Sequence, residues 1–405
     1  MKIAYITAQA PYGKGETFIM DEIMYLRKQG IRVFVVPRNP SKSLFNGEFD
    51  ELNKDVIYFP LISFTIILNF LIYALKRKNI RKLIYEIIKE SKSLTEAIKN
   101  MIIIPKSVYV AKILRDQQVE HVHSHWGSTT STMALIISEI ISVPWSFTLH
   151  RWDIYENNLL RKKVEKASFI RCISEKGKMD LLKIVGGQFE HKIKVIHMGV
   201  SVNSFDGDIK KVGKEFVACV PGNLVPVKGH KFLIEACKIL KDKGFSNFKV
   251  LICGEGRLKN ELIKQVKLYD LDDNIIFCGR VPHDKLLSLY EKRKIDIVIL
   301  PSINTSNGEF EGIPVALMEA MSYGIPVIST KTGGIPELLN NGSGMLVEEK
   351  NPSELAEAIL VLLSKEEFRK EISMKGYEKV KNDFNINKIT EQLISLFKEC
   401  KAKGS

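Results

Sequence analysis

The sequence predicts an α/β protein made of two doubly wound, mostly parallel sheets. Short apolar runs rich in β-branched residues alternate with helix-like stretches from Lys2 to about Val347, the pattern of strands joined by crossover helices. The alternation falls into two series, parted by the polar stretch Ser201–Lys214. A chain of 405 residues holds two such halves at roughly 100–200 residues per domain.

The elements follow in order. KIAYITA reads as the first strand, followed by a helix from about Thr17 to Gln29 that Gly30 closes, then the strand IRVFVVP. VEHVHSH, VPWSFTLH, ASFIRCIS and KIKVIHMGV continue the first series. The second opens near Phe216 with FVACVPGNL and a helix from about His230. FKVLICGEG, IIFCGRV and IDIVILPS come next, then a helix around Pro314–Gly324, the strand IPVISTK, a helix at Pro336–Leu339 and the strand GMLVE. Asn385–Cys400 reads as an amphipathic helix returning to the first domain. The expected division is therefore residues 1–205, 206–384 and a closing helix in 385–405, with a cleft between the two sheets. Ligands of such sheets bind beyond the carboxyl ends of the strands, at the topological switch. Chemistry is expected in those loops.

Charge separates the halves. Residues 1–200 hold 30 Lys and Arg against 19 Asp and Glu, and residues 201–405 hold 30 against 28. The first half is thus expected to face an anionic partner. From Phe59 to Leu75 no residue is charged, and Lys76, Arg77, Lys78, Arg81 and Lys82 follow closely. That run is short of the ~20 apolar residues a spanning helix needs, and Pro60, Ser63, Thr65 and Asn69 interrupt it. Two readings stay open: a helix on an anionic membrane surface, or one buried in the core. Six cysteines at 172, 219, 237, 253, 278 and 400 form no C-x-x-C pair, which fits a reducing, cytoplasmic compartment. The apolar run at the N-terminus is too short for a secretory signal, and no nucleic-acid motif accompanies the basic surplus.

The strongest chemical signal is EFEGIPVALMEAMSYGIPVIST, residues 309–330. Pro314 suits the first helical turn, which leaves Glu311 in the loop at the helix mouth and Glu319 inside the helix, on the same broad face. Free amides at such a helix start can hold phosphate or sugar oxygens. Acidic residues near helix starts also occur merely because they favour the dipole.

The full string resembles the retaining glycosyltransferases of family 4, which have the GT-B fold of two facing Rossmann-like domains. That resemblance implies that Glu311 contacts the donor sugar and Glu319 the ribose of the nucleotide, with backbone groups at Gly312, Ile313 and Val315 near the diphosphate. CVPGNLVPVKGH resembles the family's diphosphate loop. Lys228 matches its lysine, whereas Asn223 stands where the family has arginine, so the missing charge is expected elsewhere, at Arg280 of CGRVPH.

The first half carries further matches. SFTLHRWDIY resembles the family segment whose histidine reaches the donor sugar, which implies that role for His150, with Asp153 orienting its loop. APYGKGETF resembles the Gly-rich acceptor-side loop, implicating Gly13, Gly15 and Glu16. HVHSHWG resembles a family segment whose last histidine, His125, lines the acceptor side; alternation of His121, His123 and His125 along one strand face also admits a metal reading, disfavoured because no fourth ligand is evident. The resemblance implies a metal-independent, retaining hexosyltransferase without a cofactor, using a UDP- or GDP-type sugar donor. It also implies a saccharide or lipid-linked acceptor in cell-surface glycan synthesis. Two alternatives remain: a non-catalytic sugar-nucleotide-binding member of the same fold, and a sugar-nucleotide epimerase of that fold.

Overall fold

The computed structural model describes residues 1–11, 16–40, 54–207, 213, 215–306 and 308–404. They form two compact units, Met1–His197 with Ile389–Ser405, and Met198–Lys388.

The first unit begins with β1 (Lys2–Thr7), α1 (Thr17–Lys28) and β2 (Arg32–Pro37), then three successive helices, α2 (Phe64–Lys76), α3 (Lys78–Glu90) and α4 (Leu94–Asp116). β3 (His121–Ser124), α5 (Thr129–Ile141), β4 (Trp145–Leu149), α6 (Arg151–Glu156) and α7 (Leu160–Lys166) follow, then β5 (Phe169–Cys172), α8 (Glu175–Val185) and β6 (Ile193–Val195). The six strands are parallel in the order β2-β1-β3-β4-β5-β6. Their unbroken apolar runs arise because helices cover both faces of a parallel sheet. β2, for example, is buried from Val33 to Pro37.

The second unit contains β7 (Phe216–Pro221), α9 (His230–Asp242), β8 (Phe248–Cys253), α10 (Lys259–Leu268), β9 (Ile275–Gly279), α11 (His283–Glu291) and β10 (Ile297–Leu300). α12 (Val315–Ser322), β11 (Val327–Thr330), α13 (Ile335–Leu338), β12 (Met345–Val347), α14 (Pro352–Ser364) and α15 (Glu366–Asp383) complete it. The sheet is again parallel, in the order β12-β11-β10-β7-β8-β9. All twelve strands expected from the apolar runs are present. The last helix, α16 (Ile386–Gly404), buries Ile389, Leu393 and Phe397 in one cluster with Ile3, Tyr5, Val33 and Phe169.

Strand order locates the switch points. In the first unit the chain leaves β1 toward β2 on one side and β3 on the other; in the second, β7 and β10 flank the reversal. Crevices form at those carboxyl ends, and the loops after β1, β3, β7 and β10 border them.

The uncharged run becomes α2, capped by Ser63, whose Oγ accepts from Ile66 N–H at 3.3 Å. Its 13 residues make a rod of about 20 Å. Among the described residues no helix is long and apolar enough to cross a membrane. α2 buries Ile66 but exposes Phe64, Ile67, Leu68, Leu71 and Ile72.

Candidate functional site

In the second unit, the loop after β7 carries Asn223, which is exposed, and a single 3-10 turn, Pro226–Lys228. Gly229 ends that turn at φ +65°, and a Cβ there would stand 1.9 Å from the Pro301 carbonyl oxygen. Only glycine accepts both the conformation and the contact. The turn is thereby pressed onto the end of β10, where Ile303 N–H donates to the Val227 carbonyl at 2.9 Å.

This placement brings Lys228 to Glu311: Nζ lies 2.7 Å from Oε2, with both side chains largely buried. Ser302 Oγ is 3.5 Å from the same carboxylate oxygen. The backbone of Glu311 is held from the other side, by the loop after β11. Gly333, at φ +59°, would place a Cβ 1.7 Å from the Glu311 carbonyl oxygen, and Gly334 N–H donates to that oxygen at 3.3 Å.

Gly312 and buried Ile313 lead into α12. Pro314, expected inside the first turn, is instead the N-cap residue at φ −73°, and Val315 is the first helical residue. Proline fits either place, because an amide hydrogen there has no partner within the helix. Glu319 lies in the second turn, its Oε1 2.8 Å from Nε2 of His283. Sequence reasoning missed His283; its signal was its position just after the β9 loop, at the start of α11. Arg280 is exposed in that loop.

In the first unit, Gly13 and Gly15 lie outside the described residues. Glu16 is buried, and its carboxylate accepts from the amides of Ala8 (3.2 Å), Gln9 (2.6 Å) and Ala10 (2.6 Å) and from the indole N–H of Trp126. Two carboxylate oxygens offer about four acceptor positions, so these donors occupy it. Its place here is to hold the loop after β1 against the loop after β3.

His150 follows β4 and precedes α6. Asp153 accepts from the His150 backbone amide at 3.0 Å, as a carboxylate does at a helix start. Burial raises the Asp153 pKa to about 7, outweighing hydrogen bonds from the amides of His150 and Gly127. The structure brings His150 and His125 together, Nε2 to Nε2 at 3.1 Å, with the Trp126 ring centroid 4.4 Å from that of His150. Burial lowers both imidazoles, His150 to about 3 and His125 well below its usual value.

Beneath them lies a cluster that the sequence did not announce. Glu22 of α1 and Arg171 of β5, both fully buried, pair at 2.5 Å, and Tyr5 O–H donates to the same carboxylate. His121 and His123 use hydroxyl partners: Ser146 Oγ at 2.7 and 2.8 Å, and Thr148 Oγ1 at 3.0 Å from His123. Among the described residues, no group of three or more His, Cys, Asp or Glu is placed to hold a metal ion.

Residues 203–379 match the family model of glycosyl transferases group 1. That match covers 177 of the 405 residues, less than half of the chain. Asn223, Lys228, Arg280, Glu311 and Glu319 all fall within the glycosyltransferase match, whereas His125 and His150 precede it. The amylovoran biosynthesis glycosyltransferase AmsK of Erwinia amylovora is 34% identical over 207 residues, covering 51% of this chain and 50% of that protein. The chain thus spans about half the length of such curated relatives. An uncharacterized glycosyltransferase of Methanocaldococcus jannaschii is 28% identical over 278 residues, covering 66% of this chain and 72% of its own. The crystal structure of Anabaena HepE in complex with UDP superposes with a TM-score of 0.74 at 19% identity, covering 98% of this chain and 100% of that one. The architecture is GT-B, two Rossmann-like units in one chain.

Proposed function

We propose that this protein is a retaining, metal-independent glycosyltransferase. It moves a sugar from a UDP- or GDP-type donor to a lipid-linked or polysaccharide acceptor in cell-surface glycan synthesis. The observation that carries this reading is the meeting of Lys228 and Glu311 at 2.7 Å, on two loops that flank the switch point of the unit in which the group 1 glycosyl transferase match lies. A donor diphosphate beside Lys228 competes with Glu311 for the ammonium, which leaves the carboxylate to orient sugar hydroxyls. Glu319 holds ribose, the start of α12 and Arg280 face phosphate oxygens, and His150 contacts the sugar. In a front-face displacement the acceptor oxygen bonds to the anomeric carbon on the side from which the diphosphate leaves. The C–O bond to the diphosphate breaks, and the acceptor proton passes to the departing phosphate oxygen. The chain supplies position and charge stabilisation.

HepE is a protein crystallised with UDP and with UDP-glucose, which supports a uridine donor first. A thermal-shift series with UDP, GDP and ADP tests the reading, since a ligand bound at 100 times its Kd stabilises by about 2.7 kcal/mol. One nucleotide diphosphate should raise the melting temperature, and Lys228→Met should cut that stabilisation to about 0.4–1.4 kcal/mol at the same ligand concentration. No shift with any nucleotide contradicts it.

The same reading places the protein in the cytoplasm, peripheral on the inner face of the membrane. α2 presents Phe64, 81% exposed, with Leu68, Leu71 and Ile72 on one stripe. α4, packed beside it, presents Leu94, 76% exposed, with Ile98, Met101 and Ile102 at the same spacing. Arg77, Lys78, Arg81 and Lys82 are exposed between the two helices in sequence. Apolar stripes with a basic border suit an anionic bilayer.

A further inference from the structure

We infer that His283 is a positioning residue for the nucleotide: its Nε2–H holds the Glu319 carboxylate where it accepts a hydrogen bond from a ribose hydroxyl. This rests on the proposed contact of Glu319 with ribose.

The backbone beneath Glu319 is already fixed. Leu317, Met318, Ala320 and Met321 are buried on either side of it, and Ser322 Oγ donates to the Glu319 carbonyl at 2.7 Å. The carboxylate stands several rotatable bonds away from that backbone, each with its own set of staggered wells. A group that must be ordered when a ligand arrives gives up part of its binding energy to that ordering. Something has to hold this side chain beforehand if ribose is to be read well.

His283 does so. Its Nε2 is 2.8 Å from Glu319 Oε1, a hydrogen-bond distance. A carboxylate only accepts, and the Nε2–H tautomer and the imidazolium both donate from Nε2. The direction of the bond is therefore the same in either form of the ring. Oε1 is engaged in this way, whereas Oε2 of Glu319 meets no donor among the described residues. Oε2 is the oxygen left for a hydroxyl.

The two residues come from distant parts of the sheet. α11 begins after β9, at the sheet edge, and α12 follows β10, with β7 and β8 between those strands. The bond thereby links loops on either side of the carboxyl ends of β7 and β8, beside the switch point where ligands of such sheets bind. Pro282, at φ −56°, stiffens the turn that delivers His283. Stability is a poor reason for the pair, because the His283 side chain is 62% exposed and exposed ion pairs contribute little. Orientation of the carboxylate is what it offers.

Calorimetry tests this by comparing UDP, or GDP if only GDP raises the melting temperature, with its 2′-deoxy and 3′-deoxy forms. In the wild type at least one deoxy form should bind about 10- to 100-fold more weakly than the parent nucleotide. His283→Phe keeps a ring without the N–H. Its affinity for the parent should fall about 3- to 30-fold with the deoxy forms nearly unchanged, so that the deoxy penalty shrinks to within about threefold. His283→Gln returns an N–H at similar reach and should restore most of both. A merely structural role would weaken all three nucleotides alike and leave their ratios standing. A folded His283→Phe protein with the wild-type deoxy penalty overturns the inference, as does a His283→Gln protein no better than His283→Phe. Equal binding of parent and deoxy forms by the wild type refutes the ribose contact itself. That failure shows without any substitution, whereas failure of the positioning role shows only in the His283 variants.

Discussion

Replacing Lys228 by methionine separates a structural ion pair from a catalytic charge. In the folded protein, Lys228 Nζ is 2.7 Å from Glu311 Oε2, and each side chain is 19% exposed. A partly solvated pair of this kind contributes about 1 kcal/mol at most. For a unit the size of Met198–Lys388 that is a melting shift of at most about 2–4 °C. If Lys228 faces the departing diphosphate, the loss is far larger. A charge-assisted hydrogen bond is worth about 1.5–3 kcal/mol, so nucleotide binding should weaken about 10- to 100-fold. Stabilisation of charge that grows in the transition state is worth about 2.7–4 kcal/mol, so turnover should fall a further 10²- to 10³-fold. Titration calorimetry with the nucleotide diphosphate and steady-state transfer rates give both numbers, and a melting curve gives the third. A Lys228→Met protein that melts lower but binds nucleotide and turns over like wild type would refute the placement of the diphosphate at this loop.

Glu311→Gln should lower turnover about 10²-fold with nucleotide binding largely kept, whereas Glu319→Ala should chiefly weaken nucleotide binding; equal and small effects in calorimetry and rate assays would sink the division of labour. Changing Arg77, Lys78, Arg81 and Lys82 to Gln removes about 1 kcal/mol each near an anionic surface, so co-sedimentation with anionic liposomes should drop at least tenfold while transfer to a soluble acceptor persists; a variant that sediments like wild type, or a wild type that never binds, removes the membrane from the account. Acid should destabilise the fold through its buried histidines. His121 and His150 are held by burial to about 3, against about 6.5 when unfolded. The unfolded chain therefore binds protons that the folded chain refuses, and stability falls as pH falls from about 6.5 toward 3, by up to about 1.4 kcal/mol per pH unit for each imidazole. Asp153, raised to about 7, acts in the opposite sense between about 4 and 7. Urea midpoints across pH 7 to 4 should show a shallower slope for His121→Gln; an unchanged slope would contradict the burial argument.

Strands and chemistry-bearing loops are legible in this sequence for one physical reason. Parallel strands covered on both faces are written as unbroken apolar runs such as IVIL, and the residues after each run lie at the carboxyl edge where ligands bind. Lys228, Glu311 and Glu319 are singled out within those loops by the resemblance of their strings to the family 4 glycosyltransferases. Their pairings are not. Lys228 meets Glu311, and Glu319 meets His283, through loop packing at Gly229 and Gly333 that no spacing encodes. Glu22 and Arg171 pair across 149 residues, and nothing in the strings that hold them announces that pairing. Glu16 sits beside a Gly-rich segment that suggests ligand contact, yet its oxygens are filled by neighbouring amides and Trp126. The apolar stripe on α4 stays hidden because buried residues interleave with it around the helix, whereas α2 is marked by its unbroken run of uncharged residues.

The central claim is transfer with retention and without a metal. Purified protein should be incubated with a nucleotide-diphosphate sugar and an acceptor in EDTA, and the anomeric configuration of the product read by NMR. The account predicts a glycoside with the donor's own configuration, formed at the same rate with or without chelator. An inverted product, or a reaction that EDTA stops and Mg²⁺ or Mn²⁺ restores, would contradict it.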